Sequence, residues 1–205
     1  MKHTYFVTGI GTEVGKTVAS AILTEALEAD YWKPIQAGDL DNSDSHKVER
    51  LISNDKTVFH KNSFALKTPM SPHAAAEIDQ VKITSKKIKR PKTENSLVIE
   101  GAGGLLVPIS DKETIANLIQ PEDRIILVPR HYLGSINHTL LTIEALKSRG
   151  LNCFGIIFSG EENKSTESII KKMSGVTVLG RIEQEPYFDQ NVIKEYAELF
   201  REKLK

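Results

Sequence analysis

Short apolar runs recur along the chain, several rich in β-branched residues. They predict strands at 4–8 (TYFVT), 31–35 (YWKPI), 96–100 (SLVIE), 124–129 (RIILVP), 153–158 (CFGIIF) and 176–180 (VTVLG). Most are apolar almost throughout, with no polar alternation, which is the pattern of parallel strands covered on both faces. Between most of them apolar positions return at the helical period. Val18, Ala19, Ile22, Leu23, Ala26 and Leu27 mark a helix over 16–29. Ile136, Leu140, Leu141, Ile143 and Leu146 mark one over 135–149. Val192, Ile193, Tyr196, Leu199, Phe200 and Leu204 mark one over 191–204. Strand–helix alternation predicts an α/β fold, a parallel sheet with right-handed crossovers and helices on both faces. No repeat or low-complexity linker interrupts it, so a single domain over 1–205 is expected.

Charge and composition narrow the partners. Lys plus Arg and Asp plus Glu number 27 each. That balance lacks the broad basic face a nucleic-acid partner needs. The basic segment 82–95 (KITSKKIKRPKTEN) has no interleaved aromatics and precedes a buried strand. It reads as a solvated helix end and loop. No window approaches 18 consecutive apolar residues, and the stretch before Gly9 is too short for a secretory signal, so no membrane role is expected. The lone Cys153 lies in an apolar run and reads as a small buried core residue. A reducing, cytoplasmic setting fits these features. The six histidines show no metal-ligand spacing with Cys153 or with one another, so zinc is not expected.

The candidate chemistry begins at 7–17, VTGIGTEVGKT. A strand, a glycine-rich turn and Gly15-Lys16-Thr17 at a helix start form the layout of a phosphate-binding loop. Glycines let backbone N–H groups face phosphate oxygens, and the helix N-terminus adds donors and partial positive charge. Lys16 can reach the β- and γ-phosphates, and the Thr17 hydroxyl can ligate Mg²⁺. The spacing is not the strict G-x-x-x-x-G-K-T, because Ile10 stands where the first glycine belongs. Placement between a first strand and a long amphipathic helix carries the assignment. Glu100, at the carboxyl end of a buried strand, is the acidic partner such a loop calls for. The glycines behind it, Gly101, Gly103 and Gly104, permit close backbone approach to a ligand. Asn42, Ser43 or Asp44 reads first as the cap of a helix carrying Val48, Leu51 and Ile52. Ser71 as N-cap with Pro72 at N1 likewise explains SPH, and His73 reads as structural. Lys33 by default is a surface lysine at a strand end. Pro34 behind it restricts its backbone and would aim its side chain reproducibly.

Taken together, YFVTGIGTEVGKT (5–17), KPIQAG (33–38), NSD (42–44), SPH (71–73), EGAGG (100–104) and LGSINH (133–138) resemble the dethiobiotin synthetase family of P-loop NTPases. The resemblance covers most of the chain. It implies ATP-dependent carboxylation and ring closure of 7,8-diaminononanoate (7,8-diaminopelargonate) with CO₂, a step of biotin biosynthesis. A carbamate forms, ATP converts it to a carbamic–phosphoric anhydride, and the second amine closes the cyclic urea to give dethiobiotin, ADP and phosphate. ATP and Mg²⁺ are the implied cofactors, and a homodimer with its active site near the interface the implied assembly.

The same resemblance gives roles to residues. Thr12, Glu13, Val14, Gly15, Lys16 and Thr17 would form the ATP loop, and Thr17, Asp44 and Glu100 would bind Mg²⁺, which makes Asp44 a ligand and not merely a cap. Lys16 and Lys33 would be the catalytic lysines. Lys33 would act as a fixed cation beside the carbamate and γ-phosphate, because anionic neighbours favour its protonated form. Gly101, Ala102 and Gly103 would line nucleotide and substrate. Ala37, Gly104, Leu133, Gly134 and Asn137 match substrate-binding positions. The last three belong to a segment that, in the family, reaches the substrate carboxylate across a dimer interface, although Gly134-Ser135 also reads as a plain helix start. Ala37 stands where the family often has a hydroxyl, leaving that contact to backbone N–H groups. Ser159 stands where many members read adenine with asparagine, and it cannot pair bidentately with the base. Relaxed choice among triphosphates is therefore expected. Tyr132 replaces a lysine found in some members, with Arg130 the nearby cation for the substrate carboxylate. GRIEQEP (180–186) loosely matches the region flanking adenine. ATPases that partition DNA or place division proteins on membranes share the fold, but they carry a lysine inside the loop where Ile10-Gly11-Thr12-Glu13 stands here. Another amide-forming ligase would share the loop and Glu100 but not KPIQAG with LGSINH.

Overall fold

Tyr5 and Val7 enter one apolar layer and Phe6 enters another, so the first strand is buried on both faces. The computed structural model describes residues 2–204 and builds outward from that strand. In chain order the elements are β1 (Thr4–Gly9), α1 (Lys16–Leu27), β2 (Asp30–Trp32), β3 (Ile35–Ala37), α2 (Asp44–Leu51), β4 (Phe59–His60), β5 (Phe64–Leu66), α3 (Pro72–Ile78), β6 (Leu97–Gly104), β7 (Arg124–Val128), α4 (Ser135–Lys147), β8 (Cys153–Ser159), α5 (Lys164–Ser174), β9 (Val178–Ile182) and α6 (Gln190–Arg201). Seven strands form one parallel sheet in the order β4-β2-β6-β1-β7-β8-β9, while β3 and β5 pair separately. Helices α1, α2 and α6 cover the Tyr5–Val7 face. Helices α3, α4 and α5 cover the opposite face over Phe6, Ile99, Ile125 and Leu127. The fold is thus α/β with helices on both faces of a parallel sheet.

The connection from β1 to β2 passes the place of β6, and that from β6 to β7 passes the place of β1. This reversal of direction opens a crevice beyond the carboxyl ends of β1 and β6, where open α/β sheets bind ligands.

Five predicted strands are present with small shifts at their ends. The one predicted over 31–35 is corrected: Asp30–Trp32 belongs to the main sheet and Ile35–Ala37 to the small one. Pro34 has no N–H for a ladder. Its carbonyl instead accepts from Ser63 and Phe64 N–H at 2.9 and 3.1 Å. β6 continues past Glu100 to Gly104. Against β1 its register jumps from Val7↔Glu100 to Gly9↔Gly104, which bulges two extra residues of β6 outward. The helix predicted over 16–29 stops at Leu27 because Glu28 adopts a left-handed conformation, φ 47°. The segment 82–95 has only a 3₁₀ turn at Ser85–Lys87, tied down by buried Ile83 and the Arg90–Asp123 ion pair.

Candidate active site

The residues of interest come from the carboxyl ends of β1, β2, β6 and β8. The loop after β1 folds tightly. A Cβ on Gly9 would come within 2.5 Å of the Val14 side chain, and one on Gly15 would collide with the Ser159 hydroxyl at the end of β8. Gly15 takes φ 95° as the N-cap of α1, with neither a capping side chain nor an acidic residue in the first turn. The N-terminal N–H groups and their partial positive charge are therefore left for an anion. Lys16 turns back over the loop, its Nζ donating to the Gly11 carbonyl at 2.8 Å. Burial lowers its pKa to about 8. Glu100 and Asp44 oppose that fall, and Lys33 adds to it.

Beside the loop lies a buried charge cluster. Glu100 is 1% exposed. Its Oε1 accepts from Thr17 Oγ1 at 3.0 Å and Lys33 Nζ at 2.9 Å, and its Oε2 accepts from the Tyr31 hydroxyl at 2.9 Å. Lys33 is 4% exposed. Its Nζ also lies 2.6 Å from Asp44 Oδ2 and 3.1 Å from the Gly101 carbonyl. Burial alone would lower the Lys33 pKa, but Glu100 and Asp44 outweigh it and raise it. Burial likewise disfavours ionised Asp44, yet Lys33, with help from Lys47 and Lys16, holds its pKa below the ordinary value. Lys33 is thus a fixed ammonium between two carboxylates, not a surface lysine.

Asp44 is available because it is not the cap. Ser43 caps α2, its Oγ accepting from His46 N–H at 3.3 Å while His46 Nδ1 accepts from Ser43 N–H at 3.3 Å. Gln36 holds the helix start, accepting from Asp44 N–H at 3.2 Å and donating to the Gly38 carbonyl at 3.0 Å.

A cavity of about 810 Å³ opens over this cluster. Thr12 through Thr17, Lys33, Ala37, Asp44, Glu100, Ala102, Gly103 and Ser159 all line it. Gly101 and Gly104 lie behind the wall: the former offers its carbonyl to Lys33, and the latter packs on Gly9 and Gly11. Leu133, Gly134 and Asn137 do not line the cavity and lie exposed at the start of α4. Arg130 sits at the Ser159 end, reaching the Glu13 carbonyl at 3.5 Å and Gln184 Oε1 at 3.4 Å. His73 is exposed and paired with Ser71 Oγ at 3.1 Å. Burial pushes the Cys153 thiol up to about 12, which leaves it inert. Sequence reasoning missed Tyr31, Gln36 and Gln184. Tyr31 had a signal: it and Lys33 are two residues apart in extended chain, so both face the same way.

No group of three or more His, Cys, Asp and Glu able to hold a metal occurs among the described residues. What converges is a hydroxyl, Thr17, and two carboxylates, Asp44 and Glu100. This sparse, all-oxygen set fits Mg²⁺, which binds through one or two carboxylates with substrate phosphates and water completing its shell.

Comparison with known proteins agrees with this architecture. A family model described as an AAA domain matches residues 3–192. The ATP-dependent dethiobiotin synthetase BioD of Christiangramia forsetii is 70% identical over 100% of this chain and 99% of its own. That of Cytophaga hutchinsonii is 47% identical over 94% of each. Among solved structures, a ParA family ATPase from Chlorobium tepidum aligns over 96% of this chain and 98% of its own, with TM-score 0.59 and 14% identity. The septum site-determining protein MinD of Pyrococcus horikoshii aligns over 96% of this chain and 86% of its own, with TM-score 0.59 and 13% identity. At such identity these two share the fold alone.

Proposed function

The chain belongs to the ATP-dependent dethiobiotin synthetase family, and we propose that the cluster around Lys33 and the loop at Thr12–Thr17 are its ring-closing site. The enzyme is a ligase that uses ATP to join CO₂ to 7,8-diaminononanoate and close the ureido ring of dethiobiotin. The observation that carries the site assignment is the Lys33 ammonium, buried between Asp44 and Glu100 and opening on the same cavity as Lys16.

The chemistry brings anions together. One amine of the substrate adds to CO₂, giving a carbamate and a proton. A carbamate oxygen attacks the γ-phosphorus of ATP, ADP leaves, and the mixed anhydride forms. The second amine attacks the carbonyl, and phosphate departs as the ring closes. A carbamate oxygen is a poor leaving group until phosphorylated. Lys16 faces the β- and γ-phosphates from the loop, and Lys33 neutralises the charge gathered between carbamate and phosphate. Lys33 transfers no proton, since its carboxylate partners keep it charged. Mg²⁺, held by Thr17, Asp44 and Glu100, would supply further charge neutralisation at the phosphates. Ser159, with one donor and one acceptor, gives a loose reading of the base. Leu133, Gly134 and Asn137 belong to a surface that meets a second copy, whose cavity they complete at the substrate carboxylate. Their exposure and their absence from the lining of their own cavity support a homodimer. No helix among the described residues is long and apolar enough to cross a membrane, and the cytoplasm is the proposed setting.

Phosphate release tests this reading. With ATP, release is expected only when diaminononanoate and bicarbonate are both present, and at comparable rates with several other triphosphates. Release that ignores the diamine would overturn the site assignment, and strict ATP preference would overturn the role of Ser159.

A further inference from the structure

The geometry points to Tyr31 as a positioning residue for the metal site, one that fixes the carboxylate of Glu100 from behind the cavity. This rests on the reading of Glu100 as a Mg²⁺ ligand. A carboxylate 1% exposed has no bulk water to satisfy it, so each oxygen needs a protein donor. Oε1 has two, Thr17 and Lys33, both lining the cavity. Oε2 has the Tyr31 hydroxyl, at 2.9 Å, as its only hydrogen-bond donor among the described residues.

The sheet register makes this contact. Tyr31 of β2 pairs with Val98 of β6. Val98 and Glu100 project from the same face, so the phenol reaches two residues along the neighbouring strand. The ring is fully buried and packs on Phe59, centroids 5.6 Å apart. The phenol hydroxyl is the donor in this contact and Glu100 Oε2 the acceptor. Tyr31 does not line the cavity and touches no reacting group. Its action goes through Glu100: with Oε2 anchored, the carboxylate cannot rotate, and Oε1 stays toward Thr17 and Lys33.

Partners of this kind typically set metal affinity by 10- to 100-fold. The test uses the full chain with ADP and Mn²⁺ as the probe, read by the paramagnetic signal of free Mn²⁺. Tyr31→Phe keeps the ring and removes one hydroxyl. It should weaken Mn²⁺ binding to the ADP complex about 10-fold, while ADP binding in chelator stays within about twofold of the parent. Phe59→Leu, which disturbs the ring's packing alone, should lower the melting temperature and leave Mn²⁺ affinity intact. The rise in melting temperature on adding Mn²⁺ with ADP gives a second measure that survives a destabilised variant. Unchanged Mn²⁺ affinity in Tyr31→Phe, or an equal loss in Phe59→Leu, would overturn the proposal. Glu100→Gln separates the two levels. Parental Mn²⁺ affinity in that variant removes the ligand reading itself, and Tyr31's role with it. Weak binding there beside normal binding in Tyr31→Phe refutes only the role of Tyr31.

Discussion

At the scale of a residue, the role proposed for Lys33 would join function to stability. Its ammonium is buried and shared by Asp44 Oδ2 at 2.6 Å and Glu100 Oε1 at 2.9 Å. Removing one partner of such a group leaves the others desolvated and unmatched, at a cost of about 3–5 kcal/mol. Lys33→Ala should therefore abolish ring closure and also lower the unfolding free energy by that order. Nucleotide affinity should survive, since the loop and Lys16 remain. Lys16→Ala should do the reverse, weakening nucleotide binding first. Urea unfolding, nucleotide titration and phosphate release together separate the two. Near-normal turnover in Lys33→Ala would sink its catalytic role, and unchanged stability would sink the account of the buried cluster.

At the scale of elements, Asp30 ties two stretches of chain, 58–60 and 93–95, to the first residue of β2. Its carboxylate accepts from Val58 N–H at 3.2 Å ahead of β4, from Thr93 Oγ1 at 2.6 Å and from Asn95 Nδ2 at 3.3 Å, and it faces His60 Nε2 at 3.0 Å. Burial would raise its pKa, but these hydrogen bonds, Thr93's first, bring it below the ordinary value. A depressed folded pKa means that the stabilisation is complete above the unfolded value of about 3.9 and fades as pH falls through the folded value. Asp30→Asn should cost about 1–3 kcal/mol at pH 7 and progressively less below about pH 4. Melting temperatures measured from pH 3 to 7 should converge at the acid end, and parallel curves would refute the account. The same tie explains part of what could not be read in advance. Strands β1, β6, β7 and β8 were legible because double-sided burial writes an apolar run into the chain, and the edge strand β9, buried only at Leu179 and Ile182, was legible from the short apolar stretch VTVLG. The break at Lys33–Pro34 was not, since YWKPI is apolar whichever sheet its halves join. Helix α5 escaped notice because only Ile169, Ile170 and Met173 carry its apolar face among charged neighbours. Strand β4, two residues long, exists through its partners and has no pattern of its own. At the site, the phosphate loop and Glu100 were legible from local motifs. The Tyr31–Glu100 contact spans 69 residues of sequence and is fixed by register.

At the scale of the whole molecule, the proposed homodimer has a surface on which it could form. Leu133 is fully exposed, and Tyr132, Ile136 and Leu141 are exposed around the start of α4. Four exposed apolar side chains within ten residues would suit a contact surface. The same segment holds Gly134 and Asn137, the substrate positions implied by the resemblance, which stand outside their own cavity. A second copy seated on this surface resolves both facts, because it would cover the apolar side chains and bring these residues to its neighbour's site. Leu133→Asp tests the arrangement cleanly. Leu133 buries nothing within its own chain, so the folded monomer should melt as before. A carboxylate forced into an apolar interface without a partner is strongly unfavourable, so the assembly should dissociate. Sedimentation should show a dimer for the parent and a monomer for the variant. The KM for diaminononanoate should rise about tenfold or more, the equivalent of about 1.4 kcal/mol of lost binding, while nucleotide affinity stays put because the loop at Thr12–Thr17 lies wholly within one chain. A parent that is monomeric at working concentrations, or a monomeric variant with an unaltered KM, would show that each chain closes the ring alone.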